Sequence, residues 1–131
     1  MKFSFENLEV YQRAIKFNLV IDDILKREGV TRTLADQLSR AAISIPLNIA
    51  EGNGRWHKGD KRQFFWIARG SAFECIPAIE ILSLKNAISG QEKESLRSDL
   101  EVIGKMLTKL AQAQDGRSQS LSGLNTQTKY P

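Results

Sequence analysis

The sequence holds one thiol and one imidazole, Cys75 and His57, as candidates for nucleophilic or acid–base chemistry. His57 lies in a polar stretch with no second histidine and no nearby cysteine. A metal site or a nucleophile–base pair built on it would therefore need partners from elsewhere in the chain. Cys75 falls on an apolar helical stripe, where a small buried side chain is the ordinary role of a cysteine. We expect neither residue to be catalytic, and we predict no metal site and no cofactor.

Three carboxylates, Glu51, Glu74 and Glu80, lie in or near helical faces and could serve as paired acids in acid–base catalysis. Arg40 offers Glu51 or Glu74 a salt-bridge partner, so structural pairing is the favoured interpretation. The glycines within residues 52–54 follow a helical segment and precede no Gly-Lys-Ser/Thr, which is typical of a helix end and not of a phosphate-binding loop. The sequence thus favours a protein that is not an enzyme and has no small-molecule substrate.

Basic and aromatic side chains that suit nucleic acid are concentrated in one short segment. Residues 52–75 carry five cations against two carboxylates, whereas residues 1–51 carry seven of each and residues 76–131 carry seven against six. Cations neutralise phosphates, and an exposed tryptophan can stack on an unpaired base. The predicted nucleic-acid-binding residues are Arg55, Trp56, Lys58, Lys61 and Arg62. A well-solvated loop is the alternative interpretation of the same charges.

The whole chain has the composition of a small globular protein. Its 131 residues are 41% hydrophobic and 26% charged, and the formal net charge is +4. No apolar run approaches the roughly 18 residues of a membrane span, and the first residues lack the apolar core of a signal peptide. A single cysteine excludes an internal disulfide framework and fits a reducing compartment. We therefore expect a cytoplasmic protein with no membrane partner.

The spacing of the apolar residues predicts four helices and no strand. The helices are expected over residues 7–28, 34–51, 61–88 and 91–112. Short connections between long helices favour an all-α, antiparallel up-down-up-down four-helix bundle. The bundle would occupy residues 1–113, and residues 114–131, rich in Ser, Gln, Gly and Thr, are expected to form a flexible, disordered tail.

Capping residues and glycines indicate where these helices begin and end. Thr33, with Asp36 three residues later, predicts the start of the second helix, and Asp60 predicts the start of the third. Gly29 and Gly52 are expected to end the first and second helices.

Prolines interrupt two of the predicted helices. Pro46 leaves the carbonyl of Ala42 without its usual donor, and Pro77 does the same to the carbonyl of Phe73. We expect a bend at each proline.

Three of the predicted helices are apolar over more of their circumference than one bundle needs. The inner stripe of the third helix comprises Phe64, Ile67, Ala68, Ser71, Ala72, Cys75, Ile79 and Leu82. Apolar side chains outside the inner stripes are Ile43, Leu47 and Ala50 in the second helix and Phe65, Trp66, Phe73 and Ile76 in the third. A helix that is apolar around most of its circumference is usually buried on both sides, so we predict a homo-oligomer. This pattern leaves the number of subunits open.

Three segments resemble a known family of small helical proteins. Residues 37–52 read QLSRAAISIPLNIAEG, which closely resembles the signature of the four-helix-bundle family associated with intervening sequences in bacterial 23S ribosomal RNA genes. Residues 64–74, FFWIARGSAFE, resemble its second motif, and residues 8–14, LEVYQRA, resemble its usual opening. The resemblance covers about residues 5–113.

This resemblance implies a small bundle that assembles into a ring-like homopentamer. It also implies a relation to the accessory proteins of diversity-generating retroelements, similar bundles in which a basic surface binds nucleic acid. We therefore expect an oligomeric accessory module that binds RNA or DNA through its basic surface. The alternative is a protein-interaction scaffold with no role in nucleic-acid binding.

Inside the resembling segments, the residue types favour packing over catalysis. Gly70, followed by Ser71 and Ala72, is expected to let the third helix approach the second closely, at a cost of about 1 kcal/mol in helix propensity. A buried polar network that sets the register of the helices is predicted from Arg40, Ser44, Asn48, Glu51 and Glu74.

Overall fold

The fold is built from four long helices joined by short connections. The computed structural model describes residues 3–115. A short 3-10 helix at Ser4–Asn7 comes first. The long helices are α1 (Glu9–Leu25), α2 (Arg32–Asn53), α3 (Lys58–Leu84) and α4 (Gly90–Ala113). Residues 3–115 contain no strand.

Each helix packs against its neighbour in the chain, and α4 returns to contact α1. Short connections make consecutive helices antiparallel, so the predicted all-α, up-down-up-down bundle is confirmed. One end of the bundle, called here the loop end, holds the α2–α3 loop, the start of the chain and the end of α4. Asn53 Nδ2 donates to Ser4 Oγ at 2.7 Å there, and Arg62 pairs with Asp115. The opposite end, called here the closed end, holds the α1–α2 and α3–α4 connections. Most of the predicted tail, residues 116–131, lies outside the described residues.

The core consists of apolar side chains that recur every three or four residues on each helix. The largest side chains with almost no exposure are Phe17, Phe65, Ile21, Ile24, Leu38, Ile45, Ile49, Ile79, Leu82, Leu100, Ile103 and Leu107. Full burial of a side chain of this size contributes about 1.5–3 kcal/mol. The core is therefore the principal source of stability, and it holds the four helices in the positions that define the surface.

The inward face of α3 differs from the predicted stripe by a small rotation. Phe65, expected outside the inner stripe, is only 2% exposed, whereas Ile67, expected inside it, is 43% exposed. The face is centred on Ala68, Cys75 and Ile79, all completely buried. Consecutive helical residues point 100° apart, so one position is enough to move a side chain from the inward to the outward face. Because aromatic residues occupy consecutive positions at the start of α3, their spacing alone could not predict which of them faces inward.

Two predicted helix starts were wrong. α2 begins at Arg32, because the side chain of Thr31, not Thr33, accepts the backbone N–H of Leu34 at 3.3 Å. α3 begins at Lys58, three residues early, and its N-cap residue is His57, which makes no side-chain capping bond. Asp60 therefore lies inside the first turn of α3.

Pro46 lies within α2 and Pro77 within α3, and both helices continue through their proline. The carbonyl of Ala42, which Pro46 deprives of a donor, instead accepts a hydrogen bond from Asn18 Nδ2 of α1 at 2.8 Å. The same amide donates to the carbonyl of Ala14 at 2.8 Å. A side chain of the neighbouring helix thus replaces the missing backbone donor.

Two glycines have roles other than those predicted. Gly52 does not end α2, which continues to Asn53; it is buried, and a Cβ there would lie 3.0 Å from Phe64 Cβ and Phe65 Cε1. The close approach of α2 and α3 therefore depends on Gly52. Gly70 is exposed, and a Cβ there would meet no atom within 4 Å. Its predicted role in close packing was wrong for this chain, and Ser71 and Ala72 are the buried residues of that tripeptide.

No helix within residues 3–115 combines the length and the apolar character needed to cross a membrane.

Candidate nucleic-acid interface

The α2–α3 loop and the first two turns of α3 hold all five residues predicted to bind nucleic acid. α2 ends at Asn53, and Gly54 donates its backbone N–H to the carbonyls of Ala50 and Glu51. α3 starts at Lys58, so the loop is a tight connection of four residues between two antiparallel helices. Lys58, Lys61 and Arg62 are spaced three and four residues apart, which puts them on one side of α3.

Trp56 is the most exposed large hydrophobic residue in the described part of the chain. Its side chain is 94% exposed, and within residues 3–115 it has no hydrogen bond or ring contact. Full exposure of an indole forgoes about 1.5–3 kcal/mol of the burial free energy that a large apolar side chain normally gains. Lys58 beside it is also exposed and has no ion pair within these residues.

Arg55 is held against the end of α2. Its Nη2 lies 2.8 Å from Glu51 Oε2, one turn earlier, and its guanidinium carbon lies 4.8 Å from the centroid of the Phe64 ring. The ion pair is roughly half exposed on both sides, so it contributes less than about 1 kcal/mol. Arg55 is therefore oriented by Glu51 and Phe64 but stays reachable from solvent.

Lys61 and Arg62 join separate elements at the loop end. Lys61 Nζ donates to the carbonyl of Asn53 at 2.9 Å, which satisfies a free carbonyl at the C-terminus of α2. Arg62 Nη1 lies 2.6 Å from Asp115 Oδ1, just beyond α4. Asp115 thus neutralises part of the positive charge that the sequence predicts here, and Asp60 in the first turn of α3 adds a further exposed negative charge.

The predicted polar network is only partly present. Asn48 Nδ2 donates to Ser44 Oγ at 2.9 Å, Ser44 Oγ lies 2.7 Å from Ser71 Oγ, and Ser71 Oγ donates to the carbonyl of Ile67 at 3.1 Å. Because a hydroxyl has one proton, Ser44 must be the donor to Ser71. These bonds form a directed chain from α2 to α3 that fixes the register of the two helices.

The charged members of the predicted network lie elsewhere. Glu51 pairs with Arg55, whereas Arg40 and Glu74 are exposed and have no hydrogen bond or ion pair within residues 3–115. Both lie on the outward sides of α2 and α3 and stay in water, so neither charge incurs the free-energy cost of desolvation. The missed member, Ser71, was already visible on the predicted inner stripe of α3 as its one hydroxyl residue.

The side chains considered for catalysis have ordinary structural surroundings within residues 3–115. Cys75 is completely buried, and burial, with a smaller effect of the Glu74 charge, raises the pKa of its thiol to about 12. The thiol is therefore protonated at neutral pH and is a poor nucleophile. His57 lies exposed in the loop, and Glu80 pairs with Lys93 at 3.0 Å. The described residues contain no group of three or more His, Cys, Asp or Glu side chains that could hold a metal ion.

Apolar side chains remain exposed on the outer faces of three helices. The largest of them are Leu19 of α1, Ile43 and Leu47 of α2, and Ile67, Ile81 and Leu84 of α3. Leu47, in the centre of the outward face of α2, is 64% exposed. Of the apolar side chains predicted to lie outside the inner stripes, Ile43 and Leu47 are exposed. Ala50 is half-buried and Phe65 belongs to the core.

Together the fold and this loop define a class of protein, a small antiparallel helical bundle with a basic, tryptophan-bearing loop at one end. Residues 6–109 match the family described as 23S rRNA-intervening sequence protein, and the chain belongs to that family. A similar solved structure is the crystal structure of a protein of unknown function from the S23 ribosomal protein family of Bacteroides thetaiotaomicron. The two chains are 25% identical with a TM-score of 0.73, and the match covers 78% of this chain and 97% of the other. A search of the curated proteins found no match.

Proposed function

We propose that this chain is a non-enzymatic, self-associating accessory protein that binds RNA through the α2–α3 loop and the start of α3. The observation that carries the proposal is the 94% exposure of Trp56 next to Lys58, a cation with no ion pair within residues 3–115. A bundle of this size has ample core in which to bury a tryptophan. Its exposure on a basic loop therefore supports contact with a polyanion that presents flat apolar surfaces, which describes nucleic acid.

The charge distribution supports the same surface. Arg55, Lys58, Lys61 and Arg62 lie within eight consecutive residues, and the nearby carboxylates leave a net positive charge. Cations on one side of a helix attract phosphates and release bound counterions, so the affinity should depend steeply on salt. The family description, which refers to ribosomal RNA, makes RNA the first nucleic acid to test.

Self-association is supported by the exposed apolar side chains on α1, α2 and α3. Leu19, Leu47 and Leu84 are each more than half exposed, and burial against another copy would recover their hydrophobic free energy. A cyclic assembly, such as the pentamer that the resemblance implies, would repeat the basic loop in every subunit. Several weak sites on one particle bind a long RNA far more tightly than one site does.

The decisive variant is Lys58→Glu, because this lysine has no ion pair to disturb in the described part of the chain. We expect weaker binding of a structured ribosomal RNA fragment and a salt dependence reduced by roughly one phosphate contact per subunit, measured by fluorescence anisotropy between low and moderate salt. The matched control is Lys85→Glu, an identical charge change at the closed end, at the C-cap of α3. Sedimentation velocity on the same samples gives the number of subunits.

Equal loss in the Lys58 and Lys85 variants would show only a general charge effect and would contradict the assigned surface. Salt-independent binding, or none, would contradict the RNA function itself, and a monomer in sedimentation would contradict self-association.

A protein-interaction scaffold is the second candidate function, and the exposed apolar face of α2 and α3 favours it. Affinity capture that recovers one protein in stoichiometric amount after nuclease treatment would support the scaffold over the RNA-binding module.

A further inference from the structure

We propose that the loop recognises unpaired bases, so that its ligand is a single-stranded or looped RNA segment and not a duplex. This inference rests on the proposed RNA-binding function and adds the class of RNA to it. The five predicted contact residues are not equally available to a ligand.

Most of the cations at the loop already have an intramolecular partner. Arg55 contacts Glu51 and Phe64, Lys61 donates to the carbonyl of Asn53, and Arg62 pairs with Asp115. A phosphate must compete with each of these contacts before it gains the full attraction of the cation. Lys58 is the one member of the four that needs no such exchange within residues 3–115. The attraction to phosphates is therefore smaller than the count of basic residues indicates.

Trp56, in contrast, needs no rearrangement to make its contact. Its indole stands 94% exposed at the tip of a four-residue connection, where both faces of the ring can be approached. Stacking on an aromatic side chain is open to any base, because every base has a π-face. The side chain that is readiest to bind is thus the one that recognises bases and not phosphates.

A duplex does not offer Trp56 a surface of the right kind. Inside a paired helix each base face is covered by the next base pair, and the major groove of A-form RNA is too deep and narrow for side chains. A protein that binds the outside of a duplex mainly needs cations and polar groups along the backbone. An indole projecting from a tight loop would remain in water on that surface, whereas splayed-out bases would cover it.

An anionic membrane surface is the other ligand that an exposed tryptophan beside lysines could suit. The loop carries only one exposed apolar side chain, and its neighbours Arg55, His57 and Lys58 are all polar. Phe64, the next phenylalanine along the chain, is half-buried and lies beneath Arg55. Stable attachment to a membrane surface needs more than one such anchor, so the loop favours RNA.

The test follows Trp56 fluorescence in the full chain carrying Trp66→Phe, which leaves Trp56 as the single tryptophan. The probes are an unstructured RNA oligonucleotide, a blunt-ended RNA duplex of the same length and composition, and vesicles of phosphatidylserine and phosphatidylcholine. We expect quenching and at least fivefold tighter binding with the unpaired RNA. In an otherwise wild-type chain, Trp56→Ala should weaken that binding about tenfold and Trp56→Phe about twofold, by anisotropy, with little change for the duplex.

The other possible outcomes distinguish a failure of base recognition from a failure of the proposed RNA-binding function. Equal affinity for unpaired and paired RNA, with no effect of Trp56→Ala, would overturn base recognition while leaving RNA binding through Lys58 in place. A fluorescence change with the vesicles and not with the RNA would overturn it in favour of a membrane surface. Binding of neither RNA would remove the proposed function as well. Thermal melts of each variant, monitored by circular dichroism, verify that the bundle is intact.

Discussion

The two ends of the bundle each contain an arginine paired with a carboxylate from a distant part of the chain. They differ in the number of contacts that the arginine makes and in the side chains that stay exposed nearby. At the closed end, Arg27 contacts both carboxylate oxygens of Glu92 at 2.7 and 3.0 Å and also donates to the carbonyl of Ala87. At the loop end, Arg62 makes one contact with Asp115 at 2.6 Å.

Glu92 is also part of the start of α4. Its Oε1 accepts the backbone N–H of Ser89 at 2.8 Å, while Ser89 Oγ accepts the N–H of Glu92, which together form a capping box. Polar groups at the closed end are therefore used to join elements. At the loop end, Trp56 and Lys58 are exposed, and the stability of the fold does not require either side chain there. Leu84 and Lys85 are also exposed at the closed end, but they offer no aromatic ring for stacking, so under the proposed function we expect the ligand at the loop end.

The largest effect on the free energy of unfolding is expected at Gly52, which lies at the contact between α2 and α3 near the loop end. A Cβ in Gly52→Ala would press on Phe64 Cβ and Phe65 Cε1, and overpacking of this kind costs about 1–3 kcal/mol. The matched control, Gly70→Ala, meets open space and should raise the stability by about 1 kcal/mol through helix propensity. Urea unfolding measures both, and stabilisation by both substitutions would show that α2 and α3 do not need the close approach.

A smaller loss of unfolding free energy, about 1 kcal/mol at neutral pH, is expected from Glu92→Gln at the closed end. The hydrogen bond from Arg27, followed by that from the Ser89 backbone, lowers the pKa of Glu92 from 4.5 to about 2. A carboxylate with a lowered pKa stabilises the fold above its unfolded pKa and loses this contribution as pH falls through the folded one. The difference in unfolding free energy between wild type and variant should therefore be full above about pH 5 and vanish near pH 2.

The same variant should bind RNA as the wild type does, because Glu92 lies at the closed end. An altered affinity at neutral pH, with the fold intact, would remove the division of roles between the two ends.

The smallest change in stability is expected from Asp115→Asn at the loop end, below about 1 kcal/mol for a partly exposed pair. Here the informative quantity is affinity, since the loss of the carboxylate releases Arg62 for a phosphate. We expect about threefold to tenfold tighter RNA binding by anisotropy, and Arg62→Gln should act in the opposite direction. Weaker binding by the Asp115 variant would mean that this carboxylate positions Arg62 and does not compete with the RNA.

The helices and most of the core could be predicted from the sequence because apolar spacing directly records which side of a helix is buried. Helix starts were less certain, since Thr31 and Thr33 are both good capping residues; in the structure Thr31 is the cap, and Val30 before it packs against the core. The loop residues were found because they are neighbours in the chain. The partner of Arg62 was not, because Asp115 is 53 residues away and is brought close only by the fold.

The predicted polar network shows the same limit. Arg40 and Glu74 were grouped with Ser44 by residue type, although charged side chains gain most from the outward sides of their helices. The hydroxyl of Ser71 completes the chain from Asn48, but recognising it required the relative register of α2 and α3, a tertiary property.

The hydrogen bond from Asn18 to Ala42 has a consequence for how the protein opens. Pro46 leaves a gap in the backbone ladder of α2, and only a side chain of α1 fills it. When α1 separates, α2 loses this bond together with part of the apolar surface that covers its inward face. We therefore expect the two helices to open as one cooperative unit, and their most protected amide protons should exchange with solvent at a common rate.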